Sequence, residues 1–186
     1  EEFVLAAHER KKWFRFKQNR WFPSEKGSSL RLELSNTVSK IYLRNEQKTV
    51  DNVISCTDDN EQMMYQRKAS KYAEIGLKLR KTPQKNNIMI EAADLFHDEN
   101  FYDKLDENPN LICFKNGVID LEQKRFRQGA GTDYLSMSTH INYIKIEESN
   151  ENHMKIVHEI NDFMEKLFPN SELRDYMWQH MASILP

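Results

Sequence analysis

The sequence predicts an α+β fold that is mostly helical, with short antiparallel β-hairpins and a C-terminal helix pair. Three observations support this prediction. Aromatic residues alternate with cations near the N-terminus, an Asn-Gly pair separates two apolar runs mid-chain, and two amphipathic patterns close the chain. Alternation with a period of two favours strands, whereas apolar spacings of three and four favour helices.

The first hairpin is predicted over residues 13–22. Asn19 suits its turn because Asn tolerates a positive φ, and Pro23 is expected to end the second strand. Alternate residues of a strand share a face, so at least one aromatic pair of this hairpin is expected in the core.

Three helices are predicted in the following segment. The first begins at the Ser28–Ser29 pair and is expected to end near Arg44. The second begins at Asp58, which together with Glu61 forms a capping-box pattern. The third begins at Pro83, because proline suits the first turn of a helix.

A second hairpin is predicted at residues 111–121. Asn116-Gly117 between two apolar runs is a strong hairpin signal. Phe126 is expected to start a third strand, and residues 134–143 a further irregular one.

Two helices are predicted after residue 150. The first carries a nearly ideal apolar stripe, and we expect that stripe to be the structural centre of the domain. Phe163 lies on it, so Phe163→Ala is expected to cost about 3–5 kcal/mol if the ring is fully buried. The second helix follows the break at residues 169–171, carries Ile184 and Leu185, and is expected to stop at Pro186.

Length and composition predict one domain over residues 1–186, with possible subdomains 1–105 and 106–186. With 39% hydrophobic and 30% charged residues, the composition is not that of a disordered chain. Residues 1–90 hold 18 Lys/Arg against 11 Asp/Glu, and the remainder 9 against 18. The basic half suits an anionic partner and the acidic half a protein neighbour, although ordinary solvated surface explains both equally well.

Three further features predict an intracellular fragment that is not secreted and has no membrane partner. Cys56 and Cys113 are far apart in the sequence, which argues against a disulfide scaffold and fits a reducing compartment. No apolar run approaches the ~20 residues of a membrane span. The chain opens at Glu1 without an initiator Met or a signal-peptide pattern.

The sequence offers no catalytic and no metal-ligating candidates. Residues 129–131 contain two glycines but no following Lys-Ser/Thr, so they do not form a phosphate loop. His153 and His158 are five positions apart, whereas four are needed to place two imidazoles on one helical face. No Asp-x-Asp pair suggests a two-metal site. The segment is therefore predicted to be non-enzymatic and to hold no cofactor or metal.

Residues 10–21 are the candidate nucleic-acid contact. Cations neutralise phosphates, and exposed aromatic rings stack on unpaired bases. The candidate residues are Arg10, Lys11, Lys12, Arg15, Lys17, Arg20 and Trp21. Structural packing of the rings beneath solvated cations explains the same pattern, so both interpretations stay open.

An ordered set of motifs resembles the poxvirus-type primase–helicase N-terminal-like domain of large nucleocytoplasmic DNA viruses and of some phage and plasmid primases. The motifs are residues 13–21, residues 110–121 with 126–127 and 133–138, and residues 163–177. The signature positions Asn116, Gly117 and Asp120 are interpreted as turn-forming.

The resemblance implies a linker and collar module that follows a primase and precedes a superfamily-three helicase motor. In that parent, ATP and Mg would bind the helicase, and a homo-hexamer would surround DNA in the host cytoplasm or a viral replication factory. A Gly-rich Lys-Ser/Thr loop is expected within roughly 40 residues after Pro186. The alternative function is a single-stranded DNA-binding module that uses residues 10–21.

Overall fold

The computed structural model of this chain describes residues 2–183. The strands are β1 (Phe3–Ala7), β2 (Lys12–Lys17), β3 (Arg20–Glu25), β4 (Leu111–Phe114), β5 (Gly117–Asp120) and β6 (Arg125–Arg127). The helices are α1 (Ser28–Glu33), α2 (Ser39–Ser55), α3 (Asp59–Lys78), α4 (Thr82–Leu95), α5 (Phe101–Lys104), α6 (Glu151–Leu167) and α7 (Ser171–Ala182). The strands form two antiparallel sheets, β1-β2-β3 and β4-β5-β6, which confirms the predicted α+β class. The predicted chain start at Glu1 and helix end at 184–186 lie outside the described residues.

The chain divides into two compact units. Unit 1 contains residues 1–17 and 21–104, and unit 2 contains residues 18–20 and 105–186. That the two units act together as one accessory domain stays a prediction.

Strand β1 of unit 1 was not predicted from the sequence. It pairs with β2, with Leu5 opposite Trp13 and Val4 opposite Phe14. Its residues from Phe3 to Ala6 are all buried, so both faces of the strand are covered. A strand that is buried on both faces shows no polar alternation, which is the signal that the prediction required.

Strand β3 continues through Pro23 to Glu25, so the predicted strand end at this proline is wrong. The strand lies at the edge of its sheet. Proline is tolerated there because an edge strand has one side on which no ladder hydrogen bond is needed.

The first predicted helix is longer than expected, because α1, a π-helical segment (Leu34–Val38) and α2 follow one another without a break. The predicted end near Arg44 is therefore wrong, and α2 reaches Ser55. The Thr49 hydroxyl donates a hydrogen bond to the carbonyl oxygen of Asn45 over 2.6 Å, one helical turn earlier, so the helix continues past Asn45.

The helix starts at Asp58 and Pro83 are confirmed. The Asp58 carboxylate accepts from the backbone N–H of Glu61 over 2.9 Å and caps α3. Pro83 occupies the first turn of α4.

Helices α2 and α3 approach closely at Gly76. A Cβ at this position would lie 2.9 Å from the Leu43 side chain, and the Ser39 hydroxyl donates to the Gly76 carbonyl over 2.7 Å. Arg80 Nε in turn donates to the Ser39 hydroxyl over 2.9 Å. The glycine, which weakens an isolated helix, is therefore needed for helix packing here.

Unit 2 contains the predicted second hairpin, β4 and β5, with β6 as its third strand. Its small core contains Cys113, Val118 and Leu135, and burial raises the pKa of the Cys113 thiol. The prediction of a strand over residues 134–143 is wrong, because the structure has no strand at those residues. That segment instead makes isolated backbone hydrogen bonds to β4 and to the turn after it. Thr139 N–H donates to the Cys113 carbonyl over 2.9 Å, and Lys115 N–H donates to the Ile141 carbonyl over 2.9 Å.

Helices α6 and α7 form the predicted C-terminal pair, and the side chains of Asn150 and Asn170 cap their N-termini. Their predicted role as a buried centre is wrong. Met164 is the buried residue of α6, whereas Phe163 is 59% exposed. The exposed half of the stripe is formed by Ile156, Ile160, Phe163 and Leu167. We call these four residues the α6 stripe.

Candidate nucleic-acid interface

The aromatic residues of the first hairpin are core residues on both faces of the unit 1 sheet. Trp13 packs with Leu5 and neighbouring apolar side chains on one face. On the other face Phe14 and Trp21 contact the buried ring of Phe101, with centroid distances of 4.9 and 5.2 Å. Trp21 is 2% exposed, so its prediction as a base-stacking residue is wrong.

Two of the predicted cations already have protein partners. Arg15 forms ion pairs with Glu2 at 2.6 Å and Glu33 at 3.2 Å, and its guanidinium lies 5.2 Å from the centroid of the Phe3 ring. Arg20 belongs to unit 2, where it donates to the carbonyl oxygen of Ser136 over 2.8 Å. These contacts direct both guanidinium groups toward the protein.

The remaining predicted cations are exposed but lie in two places. Arg10, Lys11 and Lys12 cluster at the turn between β1 and β2, whereas Lys17 lies at the far end of β2. A strand rises about 3.3 Å per residue, so the six residues of β2 separate these two places by roughly 17 Å. The structure therefore groups three of the predicted cations and places Lys17 apart from them.

Two cations that the sequence did not single out lie near this turn. A groove of about 650 Å³ in unit 1 is lined by Lys11, Lys26 and Arg31 together with the apolar residues Leu5, Trp13, Met89 and Ile90. Lys11 and Lys26 both have a positive φ, 47° and 50°. Lys26 and Arg31 are 15 and 20 residues from Lys11 along the chain, so only the fold could join the three.

Asn116 connects the second hairpin to a distant segment of unit 2. Its side-chain Oδ1 accepts from the backbone N–H of Tyr143 over 2.8 Å, and its Nδ2 donates to the Tyr143 carbonyl over 2.9 Å. Neither Lys115 nor Asn116 has a positive φ, so the turn is not the type that Asn-Gly pairs favour. The role of this side chain is to bind another segment, in addition to its place in the turn.

Gly117 is the first residue of β5 rather than a residue of the turn. A Cβ there would lie 2.4 Å from Cζ of Phe126 and 2.6 Å from the Arg127 carbonyl oxygen. The close approach of β6 therefore explains the glycine, in place of the predicted turn-forming role.

Asp120 is the third signature residue, and it accepts from the backbone N–H of Gln123 over 2.9 Å in the turn after β5. Its carboxylate also lies 3.5 Å from Nε of Arg127, whose two terminal nitrogens donate to Asp133 over 2.8 Å each. Burial alone would raise the pKa of the Asp133 carboxyl, but hydrogen bonds from Arg127 and from Ala130 N–H lower it overall. The hydrogen bonds from Arg127 to Asp133 raise the pKa of Arg127.

Asn19, predicted as a turn residue, is also buried in unit 2. Its Oδ1 accepts from the backbone N–H of Gly129 over 2.8 Å, and its Nδ2 donates to the Lys115 carbonyl over 3.3 Å. A Cβ on Gly129 would lie 2.7 Å from Cβ of Asn19. The early hairpin turn and the motif at residues 110–121 therefore meet at this residue.

This spatial grouping agrees with a match along the sequence. Residues 1–175 match the profile of the protein family described as D5 N terminal like. The chain belongs to the D5 N-terminal-like family. The match covers nearly the whole chain, which confirms the resemblance inferred from the separate motifs.

The similar proteins of this family come from large DNA viruses. "Putative helicase L207/L206" of Acanthamoeba polyphaga mimivirus is 31% identical over 93% of this chain and 18% of its own length. "Putative helicase 121R" of Invertebrate iridescent virus 3 is 28% identical over 92% of the chain and 20% of its own length. "Putative helicase 022R" of Frog virus 3 is 25% identical over 77% of the chain. This D5 N-terminal-like chain spans about a fifth of the length of the first two relatives.

Two kinds of feature are absent from residues 2–183 of the D5 N-terminal-like chain. No three of their His, Cys, Asp or Glu side chains are grouped so that they could hold a metal ion. None of the helices described is both long and apolar enough to cross a membrane. The cation-lined groove and the α6 stripe are two exposed surfaces of this part of the chain.

Proposed function

We propose that this chain is a linker and assembly segment of a viral DNA-replication primase–helicase, located just ahead of the helicase motor. The observation that carries the proposal is the α6 stripe. Four large apolar side chains on one helical face are between 48% and 59% exposed. Contiguous apolar surface of this kind marks an interaction site more often than a solvated face.

A second copy of the chain is the proposed occupant of the α6 stripe. Residues 1–90 have a net charge of +7, and residues 91–186 a net charge of −9. A head-to-tail contact would bring the acidic half of one copy against the basic half of the next. Such heterologous contacts close into a ring when the rotation between copies fits a whole number of subunits, and we propose a hexamer.

In this proposal the catalytic steps belong to other domains of the parent protein. ATP and Mg²⁺ would bind the helicase motor of the parent, and primer synthesis would belong to its primase. This work would take place in the host cytoplasm or a viral replication factory. The 186-residue chain alone is expected to hydrolyse no ATP. Turnover that a single Asp or Glu substitution abolishes would overturn this part of the proposal.

Assembly is tested by placing charges on the α6 stripe of the full-length parent. The double variant Ile160→Asp with Phe163→Asp should abolish the hexamer in mass photometry with nucleotide and DNA. The matched control is His158→Asp with Asn161→Asp, which makes the same charge change at exposed polar positions of α6 and should keep the hexamer. A strictly monomeric parent, or hexamers formed equally by both variants, would refute the assembly role.

A second candidate function is single-stranded DNA binding by the cations of residues 10–21. Arg10, Lys12 and Lys17 are exposed and form no ion pair among residues 2–183. If each neutralises one phosphate, their replacement by Ala should flatten the dependence of log affinity on log salt by about 0.7 per contact. An unchanged slope would leave these side chains as solvated surface.

A further inference from the structure

We infer that the groove beside the β1–β2 turn holds one nucleotide unit of single-stranded DNA, its phosphate on Lys11, Lys26 and Arg31 and its base on the apolar wall. The inference rests on the proposed role in DNA replication and assigns DNA contact to a defined place. It moves that contact from the strand of the aromatic hairpin to the groove at its end.

The charges that line the groove favour an anion. Lys11, Lys26 and Arg31 face it from three different chain segments, against one carboxylate, Asp94. Asp94 lies 3.6 Å from Nε2 of His8, which also lines the groove. Neither lysine forms an ion pair within residues 2–183. Cations without a protein partner are available to neutralise a phosphate.

The cations are set in place by local backbone and side-chain structure. Lys11 and Lys26 each occupy the left-handed region, where a residue other than glycine is uncommon, at the two turns that flank the groove. The Arg31 guanidinium donates from one terminal nitrogen to Oδ1 of Asn86 over 2.8 Å. The groove is thus shaped by two local turns and by the contact of α1 with α4, whose residues Arg31 and Asn86 are 55 positions apart in the sequence.

The apolar wall favours an unpaired base over a bare anion. Met89 and Ile90 on α4 line the groove, and Ile90 is 66% exposed. Trp13 is 3% exposed, so a base would rest on these aliphatic side chains and not stack on the indole. Duplex DNA keeps its bases paired and stacked, whereas a single strand offers them for such contact. An acidic peptide would satisfy the cations but leave the apolar wall uncovered.

The phosphate contact is tested by fluorescence anisotropy of the 186-residue chain with a labelled oligothymidylate of about 20 nucleotides. The variant Lys11→Ala with Lys26→Ala should flatten the slope of log affinity against log salt by up to about 0.7, the contribution of the one phosphate that these cations share. The control, Lys40→Ala with Lys48→Ala, removes two exposed cations from α2 and should leave the slope unchanged. Equal slopes for both variants, changed or not, would overturn the inference.

The base contact is tested with an abasic strand of the same length and charge. The unsubstituted chain should bind it about fivefold more weakly or worse than oligothymidylate, because base contacts are lost. Ile90→Ser should reduce the difference in affinity between oligothymidylate and the abasic strand. Leu95→Ser, a matched change at another exposed α4 position, should leave that difference unchanged. Equal affinity for both strands, or competition by polyglutamate as strong as by oligothymidylate, would refute the inference.

The outcome separates this inference from the assembly role. Hexamers of the parent that persist while the groove variants bind DNA normally would refute the groove alone. Loss of the hexamer in the groove variants would show that these cations serve subunit contact, and this result would also overturn the groove assignment.

Discussion

Asn116 and Tyr143 are joined by two hydrogen bonds that reproduce the donor and acceptor pattern of a backbone pair. The bonds measure 2.8 and 2.9 Å, and the Tyr143 ring stacks on Phe126 with centroids 4.8 Å apart. Tyr143 belongs to no strand, so this one side chain takes the place of a strand partner. An amide is required because it offers a donor and an acceptor together.

Asn116→Ala should therefore release the segment around Tyr143. We expect a loss of about 1 kcal/mol in the free energy of unfolding, because the hydrogen bonds are exposed to water. Amide hydrogen exchange at Tyr143 should accelerate, since its N–H loses its acceptor. Asn161→Ala, an exposed change on α6, should leave that exchange rate unchanged. Unaltered protection of Tyr143 in Asn116→Ala would contradict this role.

Gly117→Ala should destabilise the protein more than a turn substitution would. The added methyl would lie 2.4 Å from Phe126 and 2.6 Å from the Arg127 carbonyl, so β6 must shift. Forced overpacking costs about 1–3 kcal/mol, measurable by urea denaturation. Gln123→Ala, an exposed change in the following turn, should cost less than about 0.5 kcal/mol. Similar losses in both variants would show that β6 yields easily.

Because of the Arg127–Asp133 ion pair, the free energy of unfolding should decrease at acidic pH. Asp133 has a pKa below its ordinary 3.8, since hydrogen bonds outweigh its burial. The folded pKa is depressed, so the stabilisation is complete above the unfolded value and is lost as pH falls through the lowered folded value. At neutral pH, Asp133→Asn should cost about 2–3 kcal/mol, less than a fully buried pair because Arg127 is partly solvated.

The control for this pair is Asp162→Asn, which removes an exposed ion pair with Lys166 on α6. It should have no measurable effect at any pH. The difference between the protein and Asp133→Asn should shrink below pH 3.8 in a series of urea melts. A difference that stays constant to lower pH would mean that the carboxylate is not stabilised by folding.

Local signals were sufficient to predict most of the fold. Asp58 caps α3 and Asn170 caps α7 through bonds to residues three positions ahead, so a short window of sequence contains the whole interaction. Strand β1 escaped prediction because its burial depends on what packs against its two faces. The end of α2 was predicted wrongly because Asn45 is only weakly unfavourable within a helix, and α2 continues through it.

The functional surfaces were less predictable, because partners distant in sequence determine them. The sequence predicted Arg15 as a phosphate ligand, but in the structure it forms ion pairs with Glu2 and Glu33. The sequence predicted that Trp21 stacks on DNA bases, but in the structure its ring packs against Phe101. The stripe of α6 was recognised correctly as apolar, but no pattern within a helix tells whether its own chain or a neighbour covers it.

The final prediction separates these two kinds of apolar residue on adjacent positions of α6. Met164 is 6% exposed and Phe163 is 59% exposed. In the isolated chain, Met164→Ala should cost about 2–5 kcal/mol, because it leaves a cavity. Phe163→Ala should cost less than about 1 kcal/mol, because water already reaches its ring. The proposed assembly predicts the opposite ranking of the two substitutions for the hexamer of the full-length parent. There, Phe163→Ala should weaken the hexamer more than Met164→Ala does. Denaturant melts of the chain and mass photometry of the parent measure the two effects. A large stability loss in the isolated chain from Phe163→Ala would place its ring in the core and remove the main support for the assembly role.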